Sequence, residues 1–232
     1  MHSVKYGSKT IAFQLTRSTR KTLAIEVHPD SSVQLIAPVE SSLELIKDKV
    51  EKRAKWILKQ QAYFEQFLPH TPTREYLSGE THLYLGKRYL LKVQQGTENS
   101  VKLIGGQLVV TQVIPSQAKV KTALAAWYYH HAKKKFTALT EKVLLQFKEE
   151  QITIELLDIY RMKKRWGSCT PTGKIILNPE LIKTNPKCIE YVITHELCHL
   201  VIPSHNKAFY QLLSEKMPDW EKWKLRLEVL MA

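Results

Sequence analysis

The chain has 232 residues, of which 44% are hydrophobic and 25% are charged, values typical of a soluble globular protein with one or two domains. No apolar run approaches the roughly 20 residues needed to cross a bilayer, and no early segment has the plan of a signal peptide. We therefore expect a cytoplasmic protein without a membrane partner. The formal charge of +13 favours attraction to polyanions, and three cysteines without a C-x-x-C pair exclude a disulfide framework.

The first part of the chain predicts a small sheet followed by a long helix. Residues 4–38 contain three strand-like runs with turn residues at 29–32, so we predict a three-stranded meander. Ser41 or Ser42 then caps a helix whose apolar residues recur every three or four positions, to about Phe67.

A second β-rich region follows this helix. Its strand-like runs cover residues 81–93, 101–104 and 107–110. Two glycines at positions 105 and 106 separate the last two runs, which is a strong signal for a hairpin turn.

The rest of the chain mixes helical and strand-like periodicity. Helical spacing covers about residues 117–149, and alternating residues predict strands at 151–156 and 174–178. We therefore predict an α+β fold with an N-terminal β-rich region, residues 1–115, and long helices. Residues 116–232 are predicted to form the second part of the fold, and the two parts can form one continuous domain.

A helix that begins after Asn185 is predicted from its cap and its periodicity. Asn185 is a good N-cap, Pro186 suits the first helical position, and apolar residues then recur at spacings of three and four. Pro203 cannot continue the hydrogen bonding of a helix, and it biases Ile202 away from helical geometry. We therefore expect the chain to turn at residues 202–204.

Near the end of this helix stands the sequence H-E-L-C-H, from His195 to His199. Two histidines four residues apart on a helix are separated by only about 40° of turn, so both imidazoles can reach one metal ion. Glu196 lies beside that face, where its carboxylate can reach an activated water as a general base. This pattern predicts a zinc hydrolase site, against the alternative of two ordinary core or surface histidines.

The third ligand is a choice between two residues. The predicted turn can swing His205 back to the metal, and three protein ligands with one open position are what a catalytic zinc ion needs. Glu215 on the following helix is the competing ligand, and a helix cap or a surface position is the alternative role of His205. We predict His205 as the third ligand and Zn2+ as the cofactor.

Two other features have a plain and a functional interpretation. Basic clusters at residues 133–135 and 161–165 indicate either solvated surface or a nucleic-acid footprint, and neither has interleaved aromatic residues that would stack on bases. The strand at residues 174–178 either presents an edge to an extended peptide or is an ordinary core strand.

Several motifs taken together resemble one known family. They are R-W-G-S-C at residues 165–169, the strand that ends at Asn178, Y-V-I-T-H-E-L-C-H at 191–199, His205 with Phe209, and, earlier in the chain, K-W-I at 55–57 and Y-L-G-K at 84–87. On these motifs the chain resembles the YgjP-like predicted metal-dependent hydrolases, which are related to the SprT and WLM zinc peptidases. The resemblance implies a zincin-like core of the gluzincin or minigluzincin type in the C-terminal half. It also implies zinc ligands at His195, His199 and His205, with Glu196 catalytic.

The resemblance makes a zinc metallopeptidase that cleaves a peptide or protein substrate the leading hypothesis. Arg165 and Tyr210 are candidates for contacting the substrate or stabilising its oxyanion. Two alternatives are a SprT-like protease recruited to nucleic acid by its positive surface, and a non-catalytic nucleic-acid-binding module stabilised by metal.

Overall fold

The structure, a computed structural model, describes residues 2–28, 30–65, 74–162 and 165–231. The chain divides into two compact units, Met1–Pro72 and Thr73–Met231. The predicted division after residue 115 falls inside the second unit, because the second β-rich region shares one hydrophobic core with the helix that follows it. The boundary between compact units therefore precedes that region.

The first unit begins with a four-stranded sheet. Its strands are β1 (His2–Tyr6), β2 (Lys9–Ser18), β3 (Ala24–Val27) and β4 (Val33–Pro38). Their order is β1-β2-β4-β3, and β2 pairs with β4 in parallel. The predicted three-stranded meander is therefore wrong, because consecutive hairpins give only antiparallel neighbours. Of the predicted turn at 29–32, Pro29 lies outside the described residues.

Two helices, rather than one long helix, cover this sheet. They are α1 (Leu43–Lys52) and α2 (Ala54–Glu65), and Arg53 between them leaves helical geometry with φ −100° and ψ 1°. Ser42 caps α1 by accepting a hydrogen bond from the Leu45 N–H, as predicted. The predicted continuation to Phe67 lies outside the described residues.

The second unit begins with another four-stranded sheet. Its strands are β5 (Thr81–Tyr84), β6 (Lys87–Gln95), β7 (Ser100–Ile104) and β8 (Gln107–Gln112), in the order β5-β6-β8-β7. The predicted hairpin at Gly105 and Gly106 is confirmed: both glycines have positive φ, and Ile104 pairs with Gln107 across the turn.

Four helices and a three-stranded sheet complete the described part of this unit. The elements are α3 (Gln117–Leu144), β9 (Leu156–Ile159), β10 (Gly167–Cys169), β11 (Lys174–Leu177), α4 (Pro186–Val201), α5 (Lys207–Lys216) and α6 (Trp220–Met231). The strand predicted at residues 151–156 is wrong except for Leu156, since β9 covers Leu156–Ile159. Gln151 adopts a left-handed conformation with φ 49°, which is not strand geometry. The chain therefore has a mixed α+β fold. No helix in the described part of the chain is long and apolar enough to span a bilayer.

The turn between β5 and β6 fixes the start of α4. The backbone N–H of Leu85 donates to the Ile182 carbonyl at 2.9 Å, and that of Gly86 donates to the Lys183 carbonyl at 3.1 Å. Gly86 has φ +78°, and a Cβ on it would lie only 3.0 Å from the Cα of Asn185, the residue that caps α4. Glycine is therefore required here, and the Y-L-G-K segment anchors the beginning of the helix that carries the histidines.

Candidate metal centre

Helix α4 carries the H-E-L-C-H segment on a buried, well-capped scaffold. Asn185 accepts a hydrogen bond from the Lys187 N–H, and Pro186 occupies the first turn, so the predicted start of the helix is confirmed. The rings of His195 and His199 lie on one face with centroids 4.8 Å apart, as their spacing requires.

The predicted turn after α4 is present and returns the chain to the same face. Ile202 ends the helix in an extended conformation, with φ −130° and ψ 101°, and Asn206 then caps α5. His205, which lies between them, places its Nε2 atom 3.0 Å from the Nε2 atom of His195. One ligand atom from each of His195, His199 and His205 lies within 4.8 Å of the other two.

The competing ligand does not join this group. The side chain of Glu215 is 64% exposed and lies 3.5 Å from Lys216, with which it forms an ion pair. In the described part of the chain, the cluster of possible metal ligands consists of the three histidines.

Two of the three imidazoles fit a divalent metal ion in their charge state as well as their position. Burial, reinforced by repulsion from His199 and His205, lowers the pKa of His195 to about 3, and burial also lowers the pKa of His199. The rings of His195 and His199 are therefore neutral at physiological pH and have lone pairs to donate. Two nitrogens bound at about 2.0–2.1 Å in a tetrahedron lie about 3.3 Å apart, close to the 3.0 Å between His195 and His205.

A hydrogen bond orients the second histidine. The Nδ1 atom of His199 lies 3.3 Å from the carbonyl oxygen of Ile202, so Nδ1 donates there and Nε2 keeps its lone pair. The ring is thereby held in the tautomer that can bind a metal through Nε2.

Phe209 supports all three rings from α5. Its side chain is fully buried, and its ring centroid lies 5.0 Å from that of His195, 4.5 Å from that of His199 and 4.8 Å from that of His205. The sequence analysis treated Phe209 only as part of an apolar helix face and a family motif. The available signal was its position, three residues after the cap Asn206, which turns the first buried side chain of α5 toward the ring cluster.

Glu196 lies next to the histidines and is almost completely buried, with 7% of its surface exposed. Burial raises the pKa of Glu196 to about 7, while a hydrogen bond from the Cys169 thiol and the positive charge of Arg165 oppose that rise. A carboxyl group with a pKa near neutrality can both accept and return a proton, which is the property required of a general acid–base catalyst.

The histidines and Glu196 line one open cavity of about 710 Å3. This volume lies within the range of ligand-binding clefts. The walls are formed by α4, by the turn that follows it and by the segment around β10, and they include Arg165, Trp166, Gly167, Cys169, Tyr191 and Pro203.

The sheet beside this cavity decides between the two interpretations of residues 174–178. The strands are ordered β10-β11-β9, so β11 is the central strand and is not free to pair with a peptide. Of the two interpretations, the ordinary core strand is the one that the structure supports. The strand β10 pairs only with β11 among the described strands, and it lies on the cavity side.

Asn178 holds the loop that leads into β10, and the sequence analysis missed this role. Its Nδ2 atom donates to the carbonyl oxygens of Met162, at 2.8 Å, and Arg165, at 3.1 Å, while its backbone N–H donates to the Trp166 carbonyl at 2.8 Å. The side chain is buried, so each of these bonds is shielded from water. The only available signal was a polar residue directly after an apolar strand.

The two predicted substrate-contacting residues occupy different places. Arg165 lines the cavity and lies close enough to influence Glu196. Tyr210 is 40% exposed, stacks on the His205 ring at 6.1 Å and on Trp220 at 5.6 Å, and is not among the cavity-lining residues. Of the basic cluster at 161–165, residues 163 and 164 lie outside the described part of the chain.

Comparison with known families identifies the family of the chain. The model of the YgjP-like family, described as a YgjP-like metallopeptidase domain, matches residues 21–229. The chain belongs to the YgjP-like metallopeptidase family. As a YgjP-like metallopeptidase it is a metal-dependent peptidase, and the resemblance inferred from its motifs is confirmed.

Two solved structures and a search of curated proteins complete the comparison. The YgjP-like chain is similar to the crystal structure of the metallopeptidase zymogen abylysin of Pyrococcus abyssi, with 18% identity, a TM-score of 0.37, and coverage of 41% of this chain and 94% of that one. It is also similar to the zymogen of Methanocaldococcus jannaschii jannalysin, with 17% identity, a TM-score of 0.36, and coverage of 42% and 91%. No curated protein matches the sequence.

Proposed function

We propose that this YgjP-like protein is a zinc peptidase in which His195, His199 and His205 hold the metal and Glu196 is the general base. The observation that carries the proposal is the convergence of one nitrogen from each of three imidazoles within 4.8 Å of one another, beside the buried carboxylate of Glu196 on α4. Three ligands leave a tetrahedral ion one open position, whereas a structural zinc site is usually closed by a fourth protein ligand. This favours a catalytic ion over a purely structural one.

Zinc, when bound, supplies Lewis acidity that makes a water molecule more acidic and a peptide carbonyl more electrophilic. Nitrogen ligands suit zinc among the divalent metals, which is why we prefer it to magnesium or calcium.

Glu196 performs the proton transfers in this proposal. Its carboxylate accepts a proton from the water that attacks the peptide carbonyl, and it then gives that proton to the nitrogen of the departing amine. A carboxyl group whose pKa lies near 7 can do both without a large energetic penalty in either direction.

Other parts of the cavity bind and orient the substrate. Arg165 at the cavity wall can donate hydrogen bonds to a substrate carbonyl or an acidic side chain, and we prefer it to Tyr210, whose ring packs against His205 outside the cavity. The edge of β10 that faces away from β11 pairs with no other described strand, and it can pair with the backbone of an extended peptide. We further propose that the second unit is a zincin-like core of the minigluzincin type, formed around α3, the sheet β10-β11-β9, α4 and α5.

The experiment has two linked measurements. Wild type and Glu196→Gln are purified with zinc, the metal is counted, and cleavage of denatured casein and of a mixed peptide library is followed by mass spectrometry. We expect one zinc per chain in both proteins and loss of cleavage, by at least a factor of about 100, only in the variant. Undiminished cleavage by metal-loaded Glu196→Gln would eliminate the proposed base.

A further inference from the structure

The segment from Trp166 to Cys169 forms part of the cavity wall. The proposed function assigns roles to the three histidines and Glu196 but none to this segment. Side chains at alternate positions of a strand point to the same side, so positions 167 and 169 of β10 share one face and Ser168 has the other. Both positions 167 and 169 meet the same side chain on α4, that of Glu196.

Gly167 provides the close approach of the strand to Glu196. A Cβ atom at this position would lie 2.6 Å from Glu196 Oε1, 2.8 Å from Glu196 Cγ and 2.9 Å from Val192 Cγ1. All three distances are shorter than van der Waals contact allows, so any larger residue must displace the carboxylate or the strand. Glycine is needed here for space, since it has no positive φ.

Cys169 lies beside the same carboxylate. Its thiol is half-buried, lines the cavity together with Glu196, and is close enough to lower the pKa of Glu196 by donating to it. Burial and the neighbouring carboxylate raise the pKa of Cys169 to about 11, so the sulfur keeps its proton and is the donor. A neutral, weak donor orients the carboxylate while leaving it more basic than a cationic partner would.

We propose that Cys169 is a positioning residue for Glu196: its S–H donates to one carboxylate oxygen and thereby holds the other toward the cavity beside the three histidines. Gly167 leaves the space in which the carboxylate adopts this orientation. The proposal rests on the proposed function, in which Glu196 is the general base.

The proposal distinguishes positioning from simple packing. In Cys169→Ala the carboxylate loses its only thiol donor, so kcat falls about 5- to 20-fold while KM and zinc content stay close to wild type. Cys169→Ser keeps a donor of similar size and restores kcat to within about threefold. In Gly167→Ala the added methyl group displaces the carboxylate, so kcat falls further than in Cys169→Ala. Cys188→Ala, which removes another buried thiol of the same unit, leaves kcat unchanged.

A second measurement does not depend on activity. The S–H stretching band lies in a part of the infrared spectrum free of other protein bands, and its wavenumber rises when the hydrogen bond weakens. In the metal-free protein, the Cys169 band is identified by its loss in Cys169→Ala. We expect this band to shift to higher wavenumber in Glu196→Ala and to stay in place in Cys188→Ala.

The outcomes separate the two claims. An unshifted Cys169 band in Glu196→Ala, or full kcat in zinc-loaded Cys169→Ala, overturns the positioning role even when Glu196→Gln is inactive. An active Glu196→Gln overturns the proposed function itself. A fall in kcat that Cys169→Ser does not restore also counts against the hydrogen bond, because packing alone would then account for the loss.

Discussion

The Nε2 atoms of His195 and His205 lie 3.0 Å apart, although the end of α4 and a turn separate them in the chain. This contact depends on the break at Ile202 and Pro203. A continued helix would have pointed His205 away from the other two rings. The histidine cluster is therefore assembled by the termination of a helix as much as by the helix itself.

Removal of His205 should test the assignment of the third ligand. We expect His205→Ala to lower zinc affinity by more than the roughly 10- to 100-fold that loss of an outer-shell partner costs. Equilibrium dialysis against buffered zinc measures this affinity. Glu215→Ala is the matched control, and it should keep wild-type affinity because Glu215 is exposed and lies outside the ligand group. The reverse result would make Glu215 the ligand.

Removal of the metal should lower thermal stability. A ligand that binds only the folded state stabilises it by about 4 kcal/mol when its concentration is a thousand times Kd. We therefore expect a chelator to lower the Tm of the zinc-loaded protein by several degrees, as followed by scanning calorimetry. The same treatment should change the Tm of His205→Ala much less. Equal shifts in both proteins would show that the chelator acts elsewhere.

Phe209 should link stability to metal binding. Phe209→Ala removes a fully buried ring and should cost about 3–5 kcal/mol of unfolding free energy, as measured by urea titration. Because this ring supports all three histidines, zinc affinity should also fall. Phe147→Ala is the matched control, since Phe147 is equally buried in the same unit. It should lose similar stability and keep its zinc affinity, and parallel losses of affinity in both variants would contradict a specific role for Phe209.

His82 should make the second unit sensitive to acid. Burial, together with the charge of Arg74, lowers the pKa of His82 from 6.5 to about 4, although Glu80 opposes the shift. The unfolded chain therefore takes up a proton at His82 near pH 6.5, whereas the folded chain does so only near pH 4. Between these two pH values the unfolded chain binds a proton that the folded chain does not bind. The contribution of His82 to the free energy of unfolding is therefore fully present above pH 6.5 and is lost as the pH drops toward 4.

The variant His82→Leu removes the side chain that takes up this proton. We expect the decrease in Tm of the metal-free protein between pH 7 and pH 4.5 to be smaller in His82→Leu than in wild type. The exposed His130 provides the control, and His130→Leu should keep the wild-type slope. Identical slopes for wild type and His82→Leu would place the acid sensitivity at other groups.

Local elements of the candidate site could be predicted because their causes are local. The Asn185 cap, the helix through His199 and the turn at Ile202 and Pro203 each follow from a few neighbouring residues, and all are present. The Gly105 and Gly106 hairpin was predictable for the same reason. The sequence failed where neighbours in space are distant in sequence. The pairing of β2 with β4 was mispredicted and the central position of β11 was left undecided, because neither has a local signal.

By itself, the sequence determined which side chains can bind a metal and activate water, since histidine spacing on a capped helix follows from helical geometry and residue chemistry. Only the tertiary structure decided what surrounds them. It placed Phe209 under the three rings, Asn178 behind the Arg165 loop, and Gly167 and Cys169 against Glu196. These contacts join segments whose approach depends on the packing of the whole core, and a linear pattern carries no information about which distant surfaces fit together.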